Sequence, residues 1–285
     1  MRALGLLLLL LAGCSTTPSF SSLTGLPSPS TMLSMGDSDL ERTWSNATIV
    51  LPPLRGEAPP VLNPGSRRID RHLAGFQATR GFPTVIYMHG CTGLSVIGFL
   101  EQIASAGFVV VAPDSMARRY RPLQCNPWNH GPTGNLFVFD FRLAELSYAL
   151  QQLRGVDWVD RENLYLVGVS EGGVAAAVYR GDDVRARVIL QWDCQGPAVM
   201  RGIAAPPQTP VLAMLRTGDP WYSRGVATAA PRHCGEFLGF RPESRSVVLP
   251  AGGADGHDLL GDSAVVREIV AFLTSQARRG TAAAR

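Results

Sequence analysis

An apolar run, Leu164-Tyr-Leu-Val167, leads straight into Gly168-Val-Ser170-Glu-Gly172, and an alanine-rich stretch, Val174-Ala-Ala-Ala-Val-Tyr179, follows. Few folds accommodate that order. It describes a strand that turns sharply into a helix, with a serine lifted out of the backbone at the corner. A residue at such a corner is strained, and side chains at 168 and 172 would collide with the adjoining strand and helix. The helix then aims the positive end of its dipole at the serine, which favours negative charge developing there. Ser170 is therefore the candidate nucleophile, against the plainer reading of an ordinary strand-to-helix turn.

A serine hydroxyl becomes a nucleophile when a base takes its proton and an acid orients the base. In this kind of architecture both follow the serine, the acid before the histidine. Thr209-Pro-Val-Leu-Ala-Met-Leu-Arg-Thr217 reads as a buried strand, ended by Gly218-Asp219-Pro220. That puts Asp219 at the carboxyl end of a strand, the edge where open α/β sheets bind ligands. Arg245–Pro250 reads as a further strand, and His257 follows in the Gly-rich loop Ala251–Asp258. His72, His89, His130 and His233 suit the base position less well. Asp193, at the end of the preceding strand, competes with Asp219 for the acid role, as do Asp255 and Asp258 beside the histidine. Thr84–Met88 is a β-branched apolar strand ending in His89-Gly-Cys-Thr-Gly93. Backbone amides of such a loop, with the amide after the nucleophile, can hold a tetrahedral oxyanion. The donors expected are the amides of Cys91 and Glu171; the Glu171 side chain is read as a carboxylate complementing the helix dipole.

Strands are expected at 84–88, 108–112, 163–169, 186–193, 210–216 and 245–249, after a β-rich start over Trp44–Leu51 and Val61–Phe76. Helices are expected at 97–106, 137–153, 172–180, 231–239 and 263–278. Strands alternating with helices imply an α/β domain, a mostly parallel twisted sheet covered by helices on both faces. Helix 137–153 carries apolar residues at 139, 143, 146 and 150, a buried stripe. The segment 114–135 breaks the alternation. With Arg118, Arg119, Arg121, Trp128 and His130, it reads either as a lid or substrate wall whose arginine binds an acidic group or as a solvated loop pinned by a disulfide.

In order and spacing, the chain resembles an α/β-hydrolase, specifically the dienelactone hydrolase family. The matching pieces are His89–Leu94, Phe108–Ser115, Gly168–Gly173, Gly218–Trp221 and Gly256–Asp258. The resemblance implies Ser170 as nucleophile, Asp219 as acid and His257 as base. Founding members of that family carry a cysteine at the elbow where this chain has serine, and their carboxylate-binding arginines have no evident counterpart. Hydrolysis of a small-molecule ester is therefore the expectation, with the acyl and alcohol groups open. A serine peptidase of the same fold and a non-catalytic binding lipoprotein are the alternatives.

Residues 1–13 read as a signal peptide: Met1-Arg2, then an apolar run too short for a permanent membrane span. The run ends in Leu11-Ala-Gly-Cys14, which resembles a bacterial lipobox and implies lipidation of Cys14. Ser15, rather than Asp, at the next position favours the outer membrane, facing the periplasm. Residues 14–39, rich in Ser, Thr, Pro and Gly, read as a tether. Residues 40–285 are the length of one α/β-hydrolase domain. Four further cysteines in an exported chain suggest two disulfides. Cys91 and Cys125 follow consecutive strands at one edge, and Cys194 and Cys234 flank the acid-bearing strand, so those two pairings are expected. No CxxC or HxxxH spacing supports a metal.

All 26 basic residues are arginine. The absence of lysine removes Schiff-base chemistry, pyridoxal phosphate and the P-loop lysine together. No GxGxxG follows a strand, and no cofactor is expected. A formal charge of +3 without a basic stripe argues against nucleic acid.

Overall fold

The computed structural model describes residues 38–76, 81–222, 232–252 and 256–277. The expected signal peptide, Cys14 and nearly all of the tether lie outside these residues, as does Asp255. The compact unit starts at Asp39.

The chain runs through α1 (Asp39–Ser45), β1 (Thr48–Val50), β2 (Val61–Leu62), α2 (Arg68–Leu73), β3 (Phe82–Met88), α3 (Ile97–Ser105) and β4 (Val109–Ala112). A small hairpin, β5 (Cys125–Asn126) with β6 (Gly131–Pro132), precedes α4 (Phe137–Arg154). Then come β7 (Val159–Val169), α5 (Glu171–Val178), β8 (Ala186–Leu190), β9 (Val211–Arg216), β10 (Arg245–Leu249) and α6 (Ser263–Ser275). Eight strands form one sheet in the order β10-β9-β8-β7-β3-β4-β1-β2. All neighbours from β10 to β4 pair in parallel, while β1 pairs antiparallel with β4 and with β2.

The two-residue period of the strands divides the apolar side chains between two cores. Ile86 and Met88 of β3, Val109 and Val111 of β4, and Leu164 and Leu166 of β7 face the core that also holds Leu146, Leu150, Val174 and Ala177 of α4 and α5. Val85, Tyr87, Val110, Tyr165 and Val167 face the opposite core with Phe99, Leu100 and Ile103 of α3 and Val266, Ile269 and Phe272 of α6. Burial on both faces is why the central strands read as unbroken apolar runs rather than alternating ones. The parallel strands β3, β7, β9 and β10 deliver their carboxyl ends to one edge, and the segments carrying residues 89–93, 170, 219 and 257 all leave from there.

Four elements differ from the sequence reading. Residues 39–45 are helical, and only three residues of the expected β-rich start, Thr48–Val50, pair with β4; α1 is a seven-residue helix with Asp39 and Glu41 in its first turn. Helices this short depend on tertiary packing. Val61–Phe76 contains the two-residue β2 and then a helix. The helix expected at 231–239 is a single 3-10 turn, Cys234–Phe237, in a stretch punctuated by Gly235 and Gly239 and covalently tied through Cys234. Strand β8 stops at Leu190, because Gln191 takes a left-handed φ of 54°.

Candidate active site

Ser170 sits between β7 and α5 with φ 55° and ψ −117°, a conformation that costs an L-residue energy and persists only where its surroundings enforce it. Its amide donates to the Leu190 carbonyl at 2.9 Å, and its carbonyl accepts from the Val174 amide at 3.0 Å. Both ends of the turn are thereby tied to β8 and to the helix. The glycines around it are steric necessities. A Cβ at Gly168 would overlap the Gly172 carbonyl, one at Gly172 would overlap the Met88 carbonyl, and one at Gly173 would lie 2.7 Å from the Leu190 oxygen.

His257 reaches across the sheet edge to this serine. Its Nε2 lies 3.1 Å from Ser170 Oγ, and its Nδ1 lies 2.7 Å from Asp219 Oδ2. A carboxylate only accepts, so Nδ1 carries the proton and Nε2 is free to accept from the serine hydroxyl. The second oxygen of Asp219 accepts from the Trp221 amide at 2.9 Å, which helps fix the orientation of the buried carboxylate. The structure thus brings Ser170, His257 and Asp219 into one hydrogen-bonded line.

The competing acids lie elsewhere. Asp193 is buried and accepts from the Gln195 amide at 2.9 Å, and burial pushes its carboxyl above the usual carboxylate range. Asp258 accepts from the Leu260 and Gly261 amides. Of the other histidines, His89 is locked in the backbone beneath the site. Its Nε2 accepts from the Ser115 amide at 3.0 Å, which makes Nδ1 the donor to the Gly90 carbonyl at 2.7 Å. Burial first, and the Arg142 charge second, hold His89 well below its ordinary pKa, so it stays neutral in that role.

The architecture is that of the α/β-hydrolases. Five consecutive parallel crossovers, an elbow after the central strand and an acid and a histidine on the following strand ends make up that fold. No protein-family profile matches the chain, and no curated protein matches it. Among solved structures it is similar to a candidate dienelactone hydrolase from Klebsiella pneumoniae subsp. pneumoniae, at 15% identity over 80% of this chain and 98% of that one, TM-score 0.49. It is also similar to a hyperthermophilic esterase from the archaeon Pyrobaculum calidifontis, at 16% identity over 83% and 88%, TM-score 0.47. An acetyl xylan esterase from Paenibacillus sp. R4 is a third, at 15% identity over 80% and 84%, TM-score 0.47.

The loop after β3 packs against Ser170: a Cβ built on Gly90 would lie 3.6 Å from Ser170 Cβ. Cys91, next in that loop, is disulfide-bonded to Cys125 of the β5–β6 hairpin, and Cys194 is bonded to Cys234. Glu171 opens α5, where a first-turn amide has no intrahelical acceptor.

The Glu171 side chain turns down into a buried ionic cluster. It takes Arg121 at 2.6 Å and Arg142 at 3.5 Å; Arg142 also binds Glu145 at 3.0 Å and donates to the His89 carbonyl at 2.9 Å. Burial pushes the Glu171 carboxyl up, and the two arginines pull it back. Arg118 closes the cluster on Glu145 and Asp39. Arg118 and Arg121 of the 114–135 segment therefore point inward to carboxylates and are not offered to an acidic substrate, whereas Arg119 is exposed. Arg142 and Glu145 were invisible in the apolar stripe of α4, because a buried pair mimics a gap in the pattern.

Two aromatic rings pack against His257, Trp221 at 5.5 Å and Tyr222 at 6.1 Å, and His130 packs 5.6 Å from Trp221; the sequence reading did not place them together. The Tyr222 hydroxyl donates to the Gln191 carbonyl at 2.6 Å. Burial first, then the Asp219 and Asp193 charges, push its pKa well above 10, so it remains a donor. Among the described residues no group of His, Cys, Asp and Glu side chains is arranged to hold a metal ion.

Proposed function

We propose that the protein is a serine hydrolase that cleaves carboxylic esters through an acyl-Ser170 intermediate. The observation that carries this reading is His257 standing between Asp219 and Ser170 at 2.7 and 3.1 Å, with the serine held in a strained elbow. His257 Nε2 takes the hydroxyl proton as Oγ attacks the ester carbonyl, and Asp219 stabilises the imidazolium that forms. The tetrahedral oxyanion is received by the amides of Cys91 and Glu171, helped by the positive end of the α5 dipole. His257 then protonates the departing alcohol oxygen. Water, deprotonated by the same nitrogen, attacks the acyl carbonyl and releases the acid. Esters are favoured over amides because an alkoxide leaves more readily than an amide anion.

The address is part of the proposal. A short apolar leader ending in Cys14 supports export and lipid attachment at the bacterial envelope, most consistently at the periplasmic face of the outer membrane. Two disulfides suit an oxidising compartment.

Labelling with a fluorophosphonate probe tests the chemistry. The parent chain should be labelled and hydrolyse short aryl esters, Ser170→Ala should lose both, and His257→Ala should lose turnover. A folded parent that the probe does not modify would sink the proposal.

A further inference from the structure

The acyl-transfer chemistry leaves one feature of the site unused, the aromatic wall beside the base. We infer that Trp221 and His130 form a subsite for the alcohol portion of the ester, and that substrates with a planar aromatic alcohol are preferred. The inference rests on the hydrolase reading above and adds the substrate class to it.

The direction comes from the proton. The nitrogen that deprotonates Ser170 also protonates the leaving oxygen, so the alcohol departs on the His257 side of the carbonyl. On that side the imidazole is flanked by the Trp221 indole, centroids 5.5 Å apart and planes at 40°. Beyond it stands His130, 5.6 Å from the indole and at 78° to it. Both residues are half-buried rather than sealed in the core. A benzylic group on the leaving oxygen would meet aromatic rings, with which it can stack offset or edge-on.

Both rings are fixed to the reacting groups. The Trp221 amide donates to the very carboxylate that orients His257, at 2.9 Å, so the indole moves with the acid. His130 closes the loop between β5 and β6 with a left-handed φ of 50°, and that hairpin is bonded to the oxyanion loop through Cys125–Cys91. Arg118 and Arg121 of the same segment are occupied by Glu145 and Glu171. Neither lends its charge to the wall, whose rings present π surface, which fits an uncharged aromatic group.

The test compares benzyl acetate with cyclohexylmethyl acetate on the intact chain. Their alcohols have the same carbon count and similar acidity, and differ in aromaticity. We expect kcat/KM to favour the benzyl ester by about threefold to tenfold, the size of an aromatic contact. The preference should fall to about one in Trp221→Leu and shrink in His130→Leu, whose hairpin position lies outside the sheet and guards against a misfolded Trp221 variant. Equal turnover of the two esters by the parent, or a preference that survives both substitutions, would overturn the inference. Calorimetric binding of benzyl alcohol against cyclohexylmethanol to Ser170→Ala reads the subsite without chemistry. If the parent cleaves neither ester and resists the fluorophosphonate, the hydrolase reading has failed; stronger binding of benzyl alcohol then still supports the aromatic subsite, and equal binding rejects it.

Discussion

Removing either disulfide should cost the same stability and very different activity. Cys91 and Cys125 are 34 residues apart, and Cys194 and Cys234 are 40 apart. Loop-closure entropy at those separations corresponds to about 3.8 and about 3.9 kcal/mol. At about 2–4 °C per kcal/mol for a domain of this size, each paired Cys→Ala variant should melt roughly 8–16 °C below the parent. The two bridges hold different things. Cys91 carries one of the proposed oxyanion amides, and its bridge also fixes the hairpin that bears His130. The Cys194–Cys234 bridge joins the segment after β8 to the 3-10 turn before β10. A lost oxyanion donor typically costs about 100- to 1,000-fold in kcat; a loosened one should cost about tenfold or more. We therefore expect Cys91→Ala/Cys125→Ala to lower kcat at least about tenfold, and Cys194→Ala/Cys234→Ala to change it less than about threefold. Scanning calorimetry gives the melting points, and aryl-ester hydrolysis well below both of them gives kcat. Equal losses of kcat, or a Cys91/Cys125 variant as active as the parent, would refute the coupling of this bridge to the oxyanion loop.

Asp219→Asn should lower kcat by about 10⁴, as loss of the orienting carboxylate does in a triad, while Asp193→Asn should stay near parent activity; the reverse ranking would reassign the acid. Burial raises Asp193 above its ordinary 3.8, so the folded chain holds that proton more tightly than the unfolded chain. Its contribution to stability is thus present at low pH and lost as pH rises through the folded value. Asp193→Asn should raise the urea midpoint at pH 7 and leave it unchanged at pH 3, and a lowered midpoint at pH 7 would contradict the argument. Gly172→Ala places a Cβ into the Met88 carbonyl and 2.8 Å from the His89 carbonyl. We expect it to cost about 3 kcal/mol in urea unfolding and to abolish fluorophosphonate labelling; a variant that keeps both would mean the elbow tolerates a side chain. The buried Arg187 guanidinium donates to the Ala176, Tyr179 and Gly181 carbonyls at the end of α5, and burial pushes its pKa down to about 10. Arg187→Met orphans three acceptors while relieving a buried charge, so a net loss of about 2 kcal/mol is expected by denaturation; a stabilised variant would show that the charge burial dominates.

Much of this molecule is local chemistry and could be read from the chain. The elbow needs glycine on both sides of Ser170 because backbone carbonyls come too close for a Cβ, and that requirement is written in five consecutive residues. The central parallel strands announce themselves because both of their faces are buried, and the strand end before Asp219 follows from that; β10, before His257, is a half-exposed edge strand that shows itself by its β-branched run. Long-range partnerships were less legible. Asp193 and Asp219 both follow strands, and only the packed sheet places one of them 2.7 Å from His257. Glu171 looked like a dipole-complementing carboxylate until the fold brought Arg121 from 50 residues away and Arg142 from a neighbouring helix onto it. Short elements such as α1 and the 3-10 turn at Cys234 have too few residues for a periodic signal, so tertiary contacts decided them. The serine, the glycines, the strands and the order of the site residues were determined by the sequence itself. Which acid, which arginines and which aromatic rings surround the serine was decided by tertiary structure, because those contacts join residues that no local pattern relates.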